Sequence, residues 1–372
     1  METREKQREG QIVTASQQAL VVRSAALVVR GLRDLARDSN WLIKKVFPER
    51  AAHLSISSTG QVAAIGARGA RRAVLYDIER CVATLALSVP EELAAGNADC
   101  PAAFAWSPEG NALVAAWGAW RKELHYFDLR SKLLAGSFGE FETFPGNLAW
   151  SATAKYFAAA ASGERKASLR MWEARRGEAA FARKCASEIG EPVWIERQTY
   201  EAEFGEEGAF QGYGCTAFSP REKEIATVVE FHGEWADDFI AVVDAPAMQS
   251  PRSFQAQGHV TALTWTADSR AVVYCASGQA YRLDAGVVES ELLPFGAELC
   301  ACHPQLPLCV CFSSWLKNSA KGRLFVADLQ RMEVLDECAA EGVLDLQWSA
   351  DGSKAYAVTQ DGLGYIYEPY VL

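Results

Sequence analysis

Nowhere in these 372 residues does an apolar run approach the roughly 20 residues that a membrane-crossing helix needs, which argues against a helical membrane span. Histidine is scarce. The five, His53, His125, His232, His259 and His303, are scattered, and none sits in a nucleophile, phosphate-loop or metal signature, so an enzyme has little to stand on and no cofactor is implied. A charged-then-apolar N-terminal signal is lacking, and the ten cysteines follow no regular pairing; both point to a reducing, cytoplasmic setting. Net basic charge is lacking as well: at −10 the chain is disfavoured as a non-specific nucleic-acid binder.

What the chain does have is a repeat. Seven times an apolar segment runs into a polar turn, the last apolar residues being Ile56, Trp106, Trp150, Phe218, Trp265, Cys302 and Trp348, spaced by 50, 44, 68, 47, 37 and 46 residues. After 19 to 26 more residues an aliphatic or aromatic run closes on an acid: Asp77, Asp128, Glu173, Asp244, Asp284, Asp328 and Glu368. Inside a unit the alternation has period two, as in Leu124-His-Tyr-Phe-Asp128, so the segments read as short strands. Turns of the Ser-Pro-Glu-Gly and Ser-Ala-Asp-Gly type, with Gly110, Asp268, Asp351 and Gly352, are hairpin signals because these residues tolerate the turn's backbone angles. The period matches a four-stranded propeller blade.

From about Trp41 to Leu372 the chain resembles the WD40-repeat family of seven-bladed propellers. Gly258-His259 stands where family blades carry a Gly-His pair, and Met171-Trp172-Glu173 where they carry Trp-Asp. The expected fold is therefore all-β, a seven-bladed WD40-like β-propeller. Fourth strands are expected at Cys81 to Leu87, Phe181 to Cys185 and Met332 to Leu335, but the seventh unit has only Pro369 to Leu372 left. Its missing strand is expected to be Trp41 to Phe47, closing the ring as in the family and removing an open sheet edge.

Two segments break the pattern. Residues 1–40 form an N-terminal extension: from Ala15 to Asp38, Val21, Ala25, Val28, Val29, Leu32, Leu35 and Ala36 fall on one helical face and Arg23, Arg30, Arg33 and Arg37 on the other. This amphipathic helix packs on the propeller, docks a partner, or lies on a membrane surface, the last opposed by Glu2, Glu5 and Glu9, which disfavour attraction to anionic lipid. The propeller itself occupies 41–372, with an insertion at 187–214 between blades three and four holding seven Glu and Trp194, Tyr200, Phe204, Phe210 and Tyr213. Five aromatics are too many for a solvated linker.

In a WD40-like ring the connections between blades and between second and third strands share one face. Trp117, Trp120, Trp235 with Asp237 and Asp238, and Trp315 with Lys317 map to that face, along with Trp194 of the insertion. Arg68, Arg71, Arg72, Arg121, Lys122, Arg165 and Lys166 would make one arc of it basic and leave the opposite arc acidic. Trp and Arg carry much of the energy at protein interfaces, though loop tryptophans are also buried by their own loops. Four cysteines, Cys300, Cys302, Cys309 and Cys311, lie on paired strands with His303; two-residue spacing puts them on one sheet face, where they pack as small core residues rather than wrap a metal.

The expected function is a non-catalytic scaffold, a monomeric ring within a complex, binding a protein or peptide with a basic segment. One alternative is a small-ligand or hydrolytic site at the channel mouth near His232, Glu234 and Asp237; another is a complex subunit held by its N-terminal helix.

Overall fold

A computed structural model of the chain describes residues 40–48, 50–67, 72–88, 101–117, 123–139, 141, 145–161, 168–173, 187–189, 210–231, 237–245, 247–284, 287, 290–314 and 322–369. The expected amphipathic helix, with its four arginines, lies outside them. Among the described residues there are seven four-stranded antiparallel sheets and no helix. Six sheets take their strands in sequence order; the seventh adds Trp41–Lys45 to Val343–Trp348, Ala355–Thr359 and Leu363–Tyr367. The molecule is a seven-bladed β-propeller.

Each of the seven apolar anchors is the last residue of a first strand, and the reason lies in the turn that follows. Ser57, Ser107, Ser151, Ser219, Thr266 and Ser349 come next, and each hydroxyl accepts the backbone N–H that reopens the ladder, as in Ala112 N–H to Ser107 Oγ at 3.0 Å. The same residue's carbonyl closes the turn, as in Gly110 N–H to Ser107 O at 2.8 Å. The donor in that second bond adopts positive φ: Gly60 at 76°, Gly110 at 68°, Ala154 at 58°, Glu222 at 55°, Ser269 at 58° and Gly352 at 74°. Glycine recurs there because side-chain-bearing residues pay about 1 kcal/mol for this region. Blade six departs: His303 replaces the hydroxyl, and its Nδ1 accepts Gln305 N–H at 3.0 Å and Leu306 N–H at 2.9 Å.

The recurrent acid has an equally local cause. Asp77, Asp128 and Asp328 each turn a carboxylate back onto backbone N–H groups of the following hairpin, Arg80, Arg130, and Gln330 with Arg331 respectively, at 2.8 to 3.0 Å. Cys81, Lys132 and Met332 then take the left-handed position of that hairpin. These acids are turn formers.

Fourth strands differ somewhat from expectation. Val82–Ser88 and Glu333–Ala340 lie close to the expected segments. In blade three, however, the paired strand is Ser187–Ile189, set against Leu169–Met171, and Phe181 to Cys185 fall outside the described residues. The long insertion therefore loses both its ends, because Phe210–Phe218 forms the first strand of blade four. Extra residues lie on both sides of Ser187–Ile189, so counting a uniform hairpin placed the strand too early.

Consecutive first strands contact one another around the whole ring and surround its axis. Between each pair of neighbouring sheets lies one of seven apolar clusters. Four anchors also bond across these seams: the indole N–H of Trp106, Trp150, Trp265 and Trp348 donates to Ser55, Ala105, Ala217 and Ala301 O, each the residue before the anchor of the preceding blade, at 3.0 to 3.3 Å. Trp348→Phe keeps an aromatic ring beside His303 and Tyr367 while removing the N–H donor and part of the buried ring volume. We expect it to cost about 1–2 kcal/mol in urea unfolding; no change would mean the bond adds nothing to packing.

The seam between blades seven and one has Ile56 at the anchor and no indole. There Asp345, in the first strand of blade seven, accepts the Ile56 N–H at 2.7 Å. The fourth strand of blade seven comes from the other end of the chain, with Trp41 opposite Tyr367 and Lys45 opposite Leu363. Val46 and Phe47 then enter the seam cluster with Ile56, Tyr76 and Ile366, at 2% and 1% exposed. The expected closing strand is thus present.

Candidate functional site

Second-to-third-strand connections open on one face of the ring. The strand ends that flank residues 118–122, 232–236 and 315–321 are described, and they place these connections in blades two, four and six. Trp120, Trp235, Trp315 and Lys317 fall within them, outside the described residues, as do Trp194, His232, Glu234, Arg68, Arg71, Arg121, Lys122, Arg165 and Lys166. Arg72, opening the third strand of blade one, is exposed.

Trp117 requires a correction. It ends the second strand of blade two rather than sitting in the loop, is 2% exposed, and packs against Phe127 at 6.1 Å and His125 at 6.3 Å between ring centroids. A partner cannot use it as an apolar anchor. Its side chain falls on the face of the strand that meets blade one, where the cluster of Phe104, Leu113 and Ala115 receives it.

Asp238 is likewise turned inward, at 1% exposed. Its carboxylate accepts the Val260 N–H at 2.8 Å and the Nδ1–H of the exposed His259 at 2.9 Å, tying the loop of blade four to the entry of blade five. Burial pushes its carboxyl above the ordinary range against those hydrogen bonds. Glu230, at the end of the preceding strand, is raised by burial and then by Asp238. It lies against the backbone of Gly214, where any side chain would collide with its carboxylate. Asp237 remains half-exposed and accepts the Gln255 amide at 3.0 Å. The sequence picked out Asp237 and Asp238 but missed Glu230 and the role of His259, although the Gly258-His259 pair was the available signal. Chemically the group is an acidic pair with one exposed imidazole.

The cysteine cluster packs as its strand spacing implied. Cys300, Cys309 and Cys311 are buried, with Cys302 beside them, and Cys275 faces them across the seam between blades five and six. Cys300 stands opposite Cys311, and Cys302 opposite Cys309. All eight described cysteines are free thiols. Among the described residues no group of three or more His, Cys, Asp or Glu is arranged to hold a metal ion, and no helix is long and apolar enough to cross a membrane.

His303 is the most constrained histidine. It is 3% exposed, its Nδ1 accepts two backbone N–H groups, and its Nε2–H donates to Gly352 O at 3.0 Å. Burial holds its pKa down at about 4, so the ring is neutral. Gly352 is required at close range: a Cβ there would strike the imidazole.

Neither the protein-family models nor the curated proteins include a match to this chain. Its class rests on the architecture, a seven-bladed β-propeller.

Proposed function

We propose that this propeller is a WD40-like, non-catalytic, cytoplasmic platform that binds a protein or peptide through the face bearing its second-to-third-strand connections. The observation that carries the reading is that the connections holding Trp120, Trp235 and Trp315 belong to blades of identical strand order, and so leave the ring on the same side. Tryptophan at such a surface typically contributes about 2 kcal/mol or more when it is a hot spot. Asp237 and the glutamates of the insertion would steer a basic segment toward it. With Trp117 and Asp238 turned inward, the three loop tryptophans and Asp237 are the residues on which the reading stands.

The test is affinity capture from the native host with the intact protein and with a Trp120→Ala, Trp235→Ala, Trp315→Ala variant, followed by binding measurements on each purified partner. Loss of a partner by about 30-fold or more per hot-spot tryptophan, with the circular dichroism spectrum unchanged, is the expected result. Unaltered affinity for every partner recovered would rule the face out.

A further inference from the structure

We infer that the central channel holds a site for a small organic cation, a guanidinium or alkylammonium group, with Asp345 as its counter-ion. This stands independently of the loop face.

The first strands of blades three to seven enclose a cavity of about 220 Å³ that opens to solvent, bounded by Asn147, Cys215, Thr216, Thr261, Cys300 and Asp345, with Leu299 and Leu346 among the apolar groups between them. At about 30 Å³ per liquid water, that is room for roughly seven waters, or one arginine side chain.

What its polar side chains have left to offer decides the ligand. The Thr216 hydroxyl donates to Gly214 O at 3.0 Å and that of Thr261 to Glu298 O at 2.7 Å. The Cys215 thiol points at Thr261 O, 3.5 Å away, and that of Cys300 at Val273 O, 3.9 Å away. Burial pushes the Cys215 thiol up to about 12, so it remains a neutral S–H. The protons of Thr216, Thr261 and Cys215 are thus spent on carbonyls, and Cys300, drawn below the ordinary thiol range by hydrogen bonds from the Cys275 and Cys309 thiols, offers none either. Apart from the lone pair that Thr216 shares with Thr227, what remains toward the cavity is lone pairs. Asp345 adds a carboxylate that uses two acceptor sites for the N–H groups of Ile56 and Leu346 and, of about four available, keeps the others.

Only Asn147 can supply protons as well as accept them. Among the described residues no Lys, Arg or His offsets the charge of Asp345; only the two N–H groups favour its ionised form, and burial outweighs them. A wall of acceptors around an uncompensated carboxyl rejects anions and suits a ligand made only of donors. Guanidinium and ammonium have that composition, and the leucines match an alkyl stem.

Isothermal titration of the full chain at pH 8 with Nα-acetylarginine methylamide tests this, with the citrulline analogue as its neutral twin. The arginine derivative should bind with one-to-one stoichiometry and the citrulline one at least tenfold more weakly. Affinity should fall about tenfold from pH 8 to pH 6, because burial raises the Asp345 pKa to about 7 and the ligand needs the carboxylate. Asp345→Asn should abolish binding. Should that variant fail to fold, Asn147→Arg places a tethered guanidinium in the cavity and should block the ligand instead. Equal binding of the citrulline analogue, a flat pH profile, or no saturable binding of the arginine derivative overturns the inference. A capped Gly-Gly-Arg-Gly-Gly peptide separates the sources. Binding as tight as that of the small derivative identifies a partner's side chain as the ligand, and binding of the small derivative alone identifies a free cation.

Discussion

A chain beginning at residue 48 is expected not to form the ring, whereas one beginning at residue 40 should melt cooperatively as the full chain does. The difference is eight residues, but they include the closing strand and Phe47. Truncating a fully buried phenylalanine costs about 3–5 kcal/mol, and Phe47 is 1% exposed. Its loss is compounded by that of Val46 and of the ladder from Trp41–Tyr367 to Lys45–Leu363. Against a typical total stability of about 5–15 kcal/mol these losses are decisive. Circular dichroism melts and size-exclusion profiles of the two truncations give the answer. A chain from residue 48 that melts with the same cooperativity would mean that blade seven stands on three strands.

The second large effect is in the pH dependence of stability, where His303 and Asp345 act in opposite senses. His303 is held at about 4, below the ordinary value of 6.5, so the unfolded chain takes up a proton first. Its contribution is fully present above about 6.5 and is lost as pH falls toward 4. Asp345 is raised to about 7 from 3.8, so its contribution is fully present below about 3.8 and is lost as pH rises through 7. Each amounts to about 3–4 kcal/mol at 1.36 kcal/mol per pKa unit. Between pH 4 and 6.5 the two slopes nearly cancel in the parent protein.

Removing either group should expose the other. In Asp345→Asn, stability relative to the parent should rise by about 3 kcal/mol from pH 4 to pH 6.5; in His303→Asn the relative change should be similar in size and downward. Urea midpoints at half-unit pH steps measure this. Taking differences against the parent cancels Glu230 and Asp238, whose raised carboxyls are common to all three proteins. Parallel curves would show that neither group is proton-linked to folding.

The blade frame was legible in the sequence because the first turn of six blades is made by one hydroxyl and one left-handed residue at fixed spacing from the anchor, and those residue types are few. The closing strand was legible as an apolar segment, Trp41 to Phe47, standing just ahead of the first unit, and it pairs with the third strand of blade seven. What the period could not reveal depended on neighbouring blades. Trp117 looked like a loop residue, but the strand ladder extends to it, and only the apolar cluster shared with blade one explains its burial. Asp345 was missed although a lone acid within Val343-Leu-Asp-Leu-Gln-Trp348 is a readable anomaly; its use, capping Ile56 from the other end of the repeat, is visible only once the ring is closed. The acids closing the third strands serve as landmarks of the repeat, and at Asp77, Asp128 and Asp328 the structure adds that turn geometry is sufficient reason for them.

The closing strand also sets an order of events during synthesis. Lys45 and its partner Asp361 are 316 residues apart along the chain. At about 5–20 residues per second, the first blade strand to leave the ribosome waits on the order of 15–60 s for the one it pairs with. Throughout that interval Leu42 and Ile43, each still 51% exposed in the finished ring, are carried on a strand with no ladder on either side. The last seam to form is therefore the one whose two halves were made first and last, and a nascent ring is vulnerable to pairing with another chain until its final residues emerge.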